Sequence, residues 1–188
     1  MIIHRLIYGF LRAKGGSPEF YQLQARDAIA WMQRQGVQFT PTTTVLDLGC
    51  GGGWQGFARA GRTVGVDLSP LSLHGAATIY HGVAACDLTR LPWRDGSFDL
   101  VVSSDVLGHI PLDVKQHAID EIYRVVKPGG EIILSNHIGA ESGPVALIES
   151  WLGKSSASLG WRPQFPWSIV QNWLDRRPDM EFIERRPL

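Results

Sequence analysis

The chain has 188 residues, which is enough for one α/β domain with a substantial core and too few for two ordinary domains. Lysine and arginine together number 18, as do aspartate and glutamate, so no net charge attracts the protein to nucleic acid or to an anionic membrane. No apolar run has the length of a membrane span and no secretory signal opens the sequence, so we expect a cytoplasmic protein with no membrane partner.

Two helices are predicted in the first forty residues. Apolar and basic residues alternate over residues 2–12 in a way that favours a short helix able to close over a ligand. A second helix is expected from the capping pair Ser17-Pro18 to Gly36, with an apolar stripe on one face. We therefore divide a single domain, residues 1–188, into an N-terminal helical cover (1–40), a core (41–137) and a C-terminal segment (138–188).

The core alternates short apolar runs with helical stripes, which is typical of βαβ units and a parallel sheet. Strands are predicted at residues 44–48, 63–67, 82–86, 98–103 and 130–136. The clearest helix spans residues 112–126, and the first two crossover helices look short. The sequence thus predicts a Rossmann-like, doubly wound, mostly parallel sheet with helices on both faces.

A glycine cluster that carries an acid follows the first core strand. Its glycines allow a sharp turn and a close approach of the backbone to a ligand. Gly51, Gly53 and Gly56 match the G-x-G-x-x-G dinucleotide pattern, but two residues separate the first of them from the strand. Counted from Asp47, the pattern is instead acid-x-Gly49-x-Gly51-x-Gly53, the form that binds S-adenosylmethionine.

A second acid, Asp67, ends the next predicted strand. A carboxylate at the tip of a second parallel strand accepts hydrogen bonds from ribose hydroxyls in a dinucleotide and in S-adenosylmethionine alike. Asp67 therefore indicates a nucleoside without distinguishing between the two ligands.

Three later segments decide between them: Ala85-Cys86-Asp87-Leu88, residues 91–104 and residues 124–134. With these motifs in this order, the chain resembles the class I S-adenosylmethionine-dependent methyltransferases over roughly residues 40–137, in particular the type 11 group of ubiquinone and menaquinone biosynthesis enzymes. The resemblance implies S-adenosyl-L-methionine as cofactor and S-adenosyl-L-homocysteine as product.

The resemblance also implies which residues bind the cofactor. The glycine loop would pack against the methionine part, Asp67 would bind the ribose, Asp87 the adenine amine, and two serines would line the sulfonium end. The full expected set is Asp47, Gly49, Cys50, Gly51, Gly53, Asp67, Leu68, Asp87, Leu88, Ser103 and Ser104. Two alternatives stay open, since Asp47 could be a turn former at a strand end and Asp87 a capping or Asx-turn residue. Cys50 and Cys86 have no spacing that suggests a metal site, and none is predicted.

His109 is the candidate for acid-base chemistry. Many relatives have a histidine there, preceded in some by a glutamate that helps to bind a metal or an anion, where this chain has Gly108. If the acceptor is a hydroxyl, a histidine near pH 7 could take its proton. The alternative is that His109 only shapes the pocket.

The acceptor is expected to be a small molecule, because the Asn/Asp-Pro-Pro-Tyr motif of enzymes that methylate adenine bases or glutamine is replaced by Ser103-Ser104-Asp105-Val106. Helices near 142–152 and 167–176 and a strand at 180–185 are predicted in the tail. Its four tryptophans could wall an acceptor pocket or cap the core: Trp151, Trp161, Trp167 and Trp173.

The family's last, antiparallel strand has no counterpart in this reading of the tail. We therefore expect either a trimmed sheet or a truncated chain, with an open sheet edge through which a homodimer could form. Two other functions remain in view. The first is a non-catalytic relative that binds the cofactor or acts as an interaction module, and the second is an NAD(P)-dependent oxidoreductase.

Overall fold

The structure is a computed structural model that describes residues 4–9, 33, 36–104, 106–135 and 167–185. Its sheet has seven strands in the order β4-β3-β2-β5-β6-β1-β7. The strands are β1 (His4–Gly9), β2 (Thr44–Leu48), β3 (Arg62–Asp67), β4 (Gly82–Ala85), β5 (Phe98–Ser104), β6 (Val126–Ser135) and β7 (Met180–Arg185). All of the strand pairs that the described residues form are parallel.

Four helices accompany these strands within the described ranges: α1 (Gln55–Ala60), α2 (Leu73–Ala76), α3 (Leu112–Val125) and α4 (Trp167–Leu174). A turn of 3-10 helix at Leu107–His109 follows β5. None of the helices in this part of the chain has the length and apolar character that a bilayer crossing requires.

The core has two layers, one on each face of the sheet, because strand residues alternate between the faces. Leu46 and Val101 belong to the layer that contains Ile122 of α3 and Trp173 of α4. The other layer includes Val45, Leu100 and Val102 of the strands together with Phe57 of α1 and Ala76 of α2. The predicted α/β fold with helices on both faces is therefore confirmed.

The five predicted core strands, the helix beginning at residue 112, the helix beginning at residue 167 and the last strand are all present, with bounds that agree to within a few residues. The predicted helix at 142–152 and nearly all of the one at 17–36 lie outside the described residues. At the end of the latter, Gln33 is helical, and Gly36 has a φ of 88°, the left-handed conformation that stops helices.

The prediction of a helix over residues 2–12 is wrong, since residues 4–9 form strand β1. This strand lies between β6 and β7, pairing Leu6 with Ile132 on one side and with Phe182 on the other. The described residues form no antiparallel strand, but the sheet is not left short of a strand. The position beside β6 is occupied by the N-terminal strand, and β7 adds a further strand beyond it.

The amino-terminal ends of the central strands are joined by a charged network. Asp99 of β5 accepts hydrogen bonds from the backbone and hydroxyl of Thr44, at 2.8 and 2.7 Å, and pairs with Lys127 at 2.9 Å. Nearby, the guanidinium group of Arg124 bonds Glu121 at 2.6 Å and Asp95 at 2.9 Å. The Asp95-Gly96 turn is stabilised here, because the Gly96 amide donates to the carbonyl of Arg124 at 2.9 Å.

Candidate functional site

The candidate site lies at the carboxyl ends of β2, β3 and β5, where the strand order reverses between β2 and β5. Open α/β sheets bind ligands at such a reversal point. The loop after β2 is held in shape by the Cys50 amide, which donates to the carbonyl of Val66 at 2.8 Å, and by the Gly53 amide, which donates to the carbonyl of Cys50 at 2.8 Å.

The three glycines of the predicted motif all have positive φ, but their surroundings differ. A Cβ at Gly49 would collide with the side chain of Val106, and one at Gly53 would lie 2.7 Å from the Cα of Ala76 in α2. A Cβ at Gly51 or Gly52 would meet nothing within 4 Å. The first and third glycines therefore allow close packing of the protein, and the open space that a ligand could use lies at Gly51 and Gly52.

Asp67 connects this loop to β3. One carboxylate oxygen accepts the Gly51 amide at 3.0 Å and the other accepts the Ser69 amide at 2.8 Å. Each oxygen keeps a further lone pair for a ligand hydroxyl. The neighbouring Leu68 is 76% exposed, which places an apolar side chain on the surface beside the carboxylate.

Asp47 is almost completely buried below the loop, with 6% of its surface exposed. The hydroxyl of Tyr80 donates a hydrogen bond to its Oδ2 at 2.6 Å. Burial raises the pKa of Asp47 to about 7; the bond from Tyr80 lowers it and the charge of Asp67 raises it. Asp47 thus keeps its proton to a much higher pH than an exposed aspartate, which the sequence motif does not indicate.

Cys50 lies next to these acids, and its thiol is held in the protonated form. Burial, together with the charges of Asp47 and Asp67, raises its pKa to about 12. Burial and the charge of Asp47 also raise the pKa of Tyr80, so its hydroxyl stays protonated and remains a donor. Sequence reasoning missed Tyr80, because it stands 33 positions from Asp47 in an unremarkable turn before β4.

Asp87 follows the end of β4 at the same edge of the sheet. Its Oδ1 accepts both the amide and the hydroxyl of Thr89, each at 2.8 Å, so Asp87 forms the Asx turn that the sequence left open as an alternative. Its side chain is exposed, whereas Leu88 is buried in the main core. The edge position of Asp87 leaves its second oxygen available to a ligand.

Ser103 and Ser104 end β5 beside the loop. The Ser103 side chain is buried, and its hydroxyl has no hydrogen-bond partner among the described residues. Ser104 is exposed. A buried hydroxyl without a partner is uncommon in proteins, which makes Ser103 a candidate polar contact at this edge of the sheet.

His109 lies on the 3-10 turn after β5, and its side chain is exposed. Val106, which covers Gly49, fixes this turn against the glycine loop, and the His109 amide donates to the carbonyl of Val106 at 2.9 Å. The imidazole is therefore near the site without being held in it. In the part of the chain that the structure describes, no cluster of three or more His, Cys, Asp or Glu residues could hold a metal ion.

Trp173 packs in the core instead of lining a pocket. It is buried beneath α3, its indole nitrogen donates to Asp120 at 3.0 Å, and its ring meets that of Tyr123 edge-on. Trp151, Trp161 and the side chain of Trp167 lie outside the described residues.

Comparison with known proteins agrees with this geometry. A family model described as a methyltransferase domain matches residues 46–134. An uncharacterized methyltransferase of Mycobacteroides abscessus is 35% identical over 183 residues, which cover 88% of this chain and 65% of that protein. The chain spans about half to two thirds of the length of the curated relatives it matches.

Two solved structures have a similar fold. The YcgJ protein of Bacillus superposes with a TM-score of 0.66 at 18% identity, covering 80% of this chain and 67% of that one. Phosphoethanolamine N-methyltransferase 2 of Haemonchus contortus, solved with phosphomonomethylethanolamine and S-adenosylhomocysteine, gives 0.61 at 26% identity, covering 78% of this chain and 35% of that one. The quinone biosynthesis group is not singled out by these matches. The family match over the central strands and the 35% identity to a methyltransferase make this chain similar to the class I S-adenosylmethionine-dependent methyltransferases, with which it shares the fold.

Proposed function

We propose that the protein transfers the methyl group of S-adenosyl-L-methionine to a small-molecule acceptor by in-line displacement. The observation that carries this proposal is the open turn at Gly51 and Gly52, which has no protein atom within 4 Å of either Cβ position and lies between two carboxylates that no described cation pairs. Exposed backbone beside buried and half-buried acids is suited to a ligand that carries both a carboxylate and positive charges.

The residues of the site fit the parts of this cofactor. Gly51 and Gly52 leave room for the methionine part against the backbone. Asp67 has lone pairs for the ribose hydroxyls, and the exposed Leu68 offers an apolar surface to the adenine ring. Asp87, which follows the end of β4, would accept a hydrogen bond from the adenine amine, and Ser103 brings a buried hydroxyl that has no partner among the described residues.

The bound cofactor would supply a methyl group already activated by its positive sulfur. The protein then has mainly to align the acceptor with that methyl and to exclude water, since displacement at carbon needs a straight approach at close range. His109, exposed on the turn beside the loop, is the group of this site that could take a proton from a hydroxyl acceptor.

A small-molecule acceptor is supported by two observations. The chain carries no net charge that would favour nucleic acid. In addition, the Haemonchus contortus structure, which shares the fold at 26% identity, holds a small amine as its second ligand. We extend this to the present chain as a proposal for the class of acceptor, with amines and hydroxyl compounds as the first candidates.

Calorimetric titration with S-adenosylhomocysteine, beside NAD as a control, tests the cofactor. Binding of S-adenosylhomocysteine alone is the expected result, and binding of NAD alone would assign the glycine loop to a dinucleotide. Methyl transfer from labelled S-adenosylmethionine to a panel of small amines and alcohols then tests catalysis. Cofactor binding without transfer to any acceptor in a broad panel would favour the non-catalytic alternative.

A further inference from the structure

The side chain of Tyr80 packs across β3 at Gly65 and reaches Asp47, beneath the glycine loop. A Cβ at Gly65 would lie 2.8 Å from the Cδ2 of Tyr80 and 2.6 Å from the Sγ of Cys50. Gly65 is the strand neighbour of Asp47 in the pairing of β2 with β3. The ring therefore crosses β3 where that strand has no side chain, and this crossing brings the phenol oxygen to Asp47.

The bond that results is buried at both ends. Tyr80 and Asp47 both belong to the buried part of the molecule, and their oxygens are 2.6 Å apart. The backbone of Tyr80 is fixed as well, since its amide donates to the carbonyl of Ala76 at 2.8 Å. Ala76 is also the residue against which Gly53 packs. One short segment, residues 76–80, thus supports both the end of the glycine loop and the acid beneath it.

We propose that Tyr80 is a positioning residue of the cofactor site, whose hydroxyl holds the Asp47 carboxyl beneath the glycine loop and favours its charged form when a cationic ligand binds. This inference rests on the proposed function. The ligand class is the amino-acid end of S-adenosylmethionine or S-adenosylhomocysteine, which carries an ammonium and a carboxylate group. Its ammonium group gains from a carboxylate nearby and gains little from a neutral acid.

The groups that face Asp47 support this role. They are the Tyr80 hydroxyl, the Cys50 thiol and, at longer range, the Asp67 carboxylate. Burial and Asp67 both favour the protonated acid and raise the pKa of Asp47, and the hydrogen bond from Tyr80 is what lowers it. Removal of the hydroxyl should therefore raise the pKa of Asp47 and leave less carboxylate at neutral pH.

The test uses Tyr80→Phe, with Tyr123→Phe as the matched control. Tyr123 also donates to a carboxylate, that of Asp179, in the contact between α3 and the turn before β7, away from the loop. Carbon NMR of the aspartate carboxyl groups in the unliganded protein gives the titration midpoint of Asp47, assigned by its absence in Asp47→Asn. We expect Tyr80→Phe to move this midpoint up by about half a pH unit or more, and Tyr123→Phe to leave it unchanged.

Calorimetry with S-adenosylhomocysteine across the same pH range gives the second readout. Affinity should rise as Asp47 ionises, and in Tyr80→Phe this rise should move to higher pH. An unmoved Asp47 midpoint, or an affinity lowered by the same factor at every pH, would show that Tyr80 only packs and would overturn the inference. If the wild-type protein bound no S-adenosylhomocysteine at any pH while the midpoint moved as expected, the proposed function would fail, and the cofactor role of Tyr80 with it.

Discussion

The acids at the two ends of the sheet differ in what neutralises them. At the amino-terminal end, Asp99 pairs with Lys127, and Glu121 pairs with Arg124. At the carboxyl end, Asp47 and Asp67 are held by a tyrosine hydroxyl and by backbone amides, and no lysine or arginine of the described residues forms an ion pair with either. Acids paired with a cation stabilise the fold, whereas acids without a cationic partner at the end of a sheet are candidates for contact with a ligand.

Among the variants that compare the two ends of the sheet, Gly51→Val should have the largest effect. The side chain would occupy the open space of the turn, so S-adenosylhomocysteine affinity should fall by about 100-fold, in line with the ~1–3 kcal/mol that overpacking costs. Gly96→Val is the control, because Gly96 also has a positive φ, 61°, and belongs to a turn at the other end of the sheet. It should lose similar stability and bind normally. Normal binding by Gly51→Val in calorimetry would show that the ligand lies elsewhere.

Asp67→Ala should weaken S-adenosylhomocysteine binding by about 1.5–3 kcal/mol, the range for hydrogen bonds to a charged group, which is about 10- to 150-fold. Asp95→Ala, which removes an exposed acid paired with Arg124, serves as the matched control and should leave affinity unchanged. Calorimetry of both variants decides the point. Equal affinity of Asp67→Ala and the wild type would remove Asp67 from the cofactor site.

Asp47→Asn should change how stability depends on pH. Because the pKa of Asp47 in the folded protein is raised to about 7 from 3.8, the folded state binds more protons than the unfolded state between these values, and stability falls as pH rises across that window. The variant lacks this loss, so at about pH 8 it should be more stable than the wild type by ~1–2 kcal/mol, after the cost of a buried amide. Urea unfolding of the wild type and of Asp47→Asn near pH 5 and pH 8 gives the change of stability with pH for each protein. The same change of stability with pH in both proteins would contradict a raised pKa for the buried Asp47 carboxyl.

Asp99→Asn should show the opposite pattern and the smallest effect. Burial raises the pKa of Asp99, but the bonds from Thr44 and Lys127 lower it further, so the net shift is downward. Its stabilisation is therefore present above the unfolded pKa and is lost as pH falls through the folded value. Near neutral pH the variant should lose about 1 kcal/mol in urea unfolding and keep its cofactor affinity. A loss of affinity would mean that the two ends of the sheet are not independent.

The sequence predicted the elements whose signals are local. The runs that became β2, β3 and β5 are short, apolar and bounded by turn residues, so their strand identity could be read without knowing their partners. Residues 4–9 could not be assigned in this way. Their strand depends on pairing with β6 and β7, which lie more than a hundred positions away, and a short apolar segment is compatible with either helix or strand.

The site was predicted as a set of positions and not as an arrangement. The motif indicated Asp47, Gly49, Gly51 and Gly53 together, but it could not say that Gly51 faces open space while the other two glycines pack against Val106 and Ala76. The hydrogen bond between Tyr80 and Asp47 could not be predicted from the sequence, because it depends on Gly65 lacking a side chain in the strand between them. Contacts across strands set these details, and a single sequence does not display them.

The place of β1 in the sheet has a consequence for how the molecule is made. Arg5 pairs with Glu131, so β1 leaves the ribosome 126 residues ahead of its neighbour β6. At roughly 5–20 residues per second, this takes on the order of 6 to 25 seconds of synthesis. Throughout that time β6 and β7 do not yet exist as partners for it, and loop closure over such a separation is slow. Completion of this side of the sheet is therefore a late step of folding, in which an unpaired strand is exposed to association with other nascent chains.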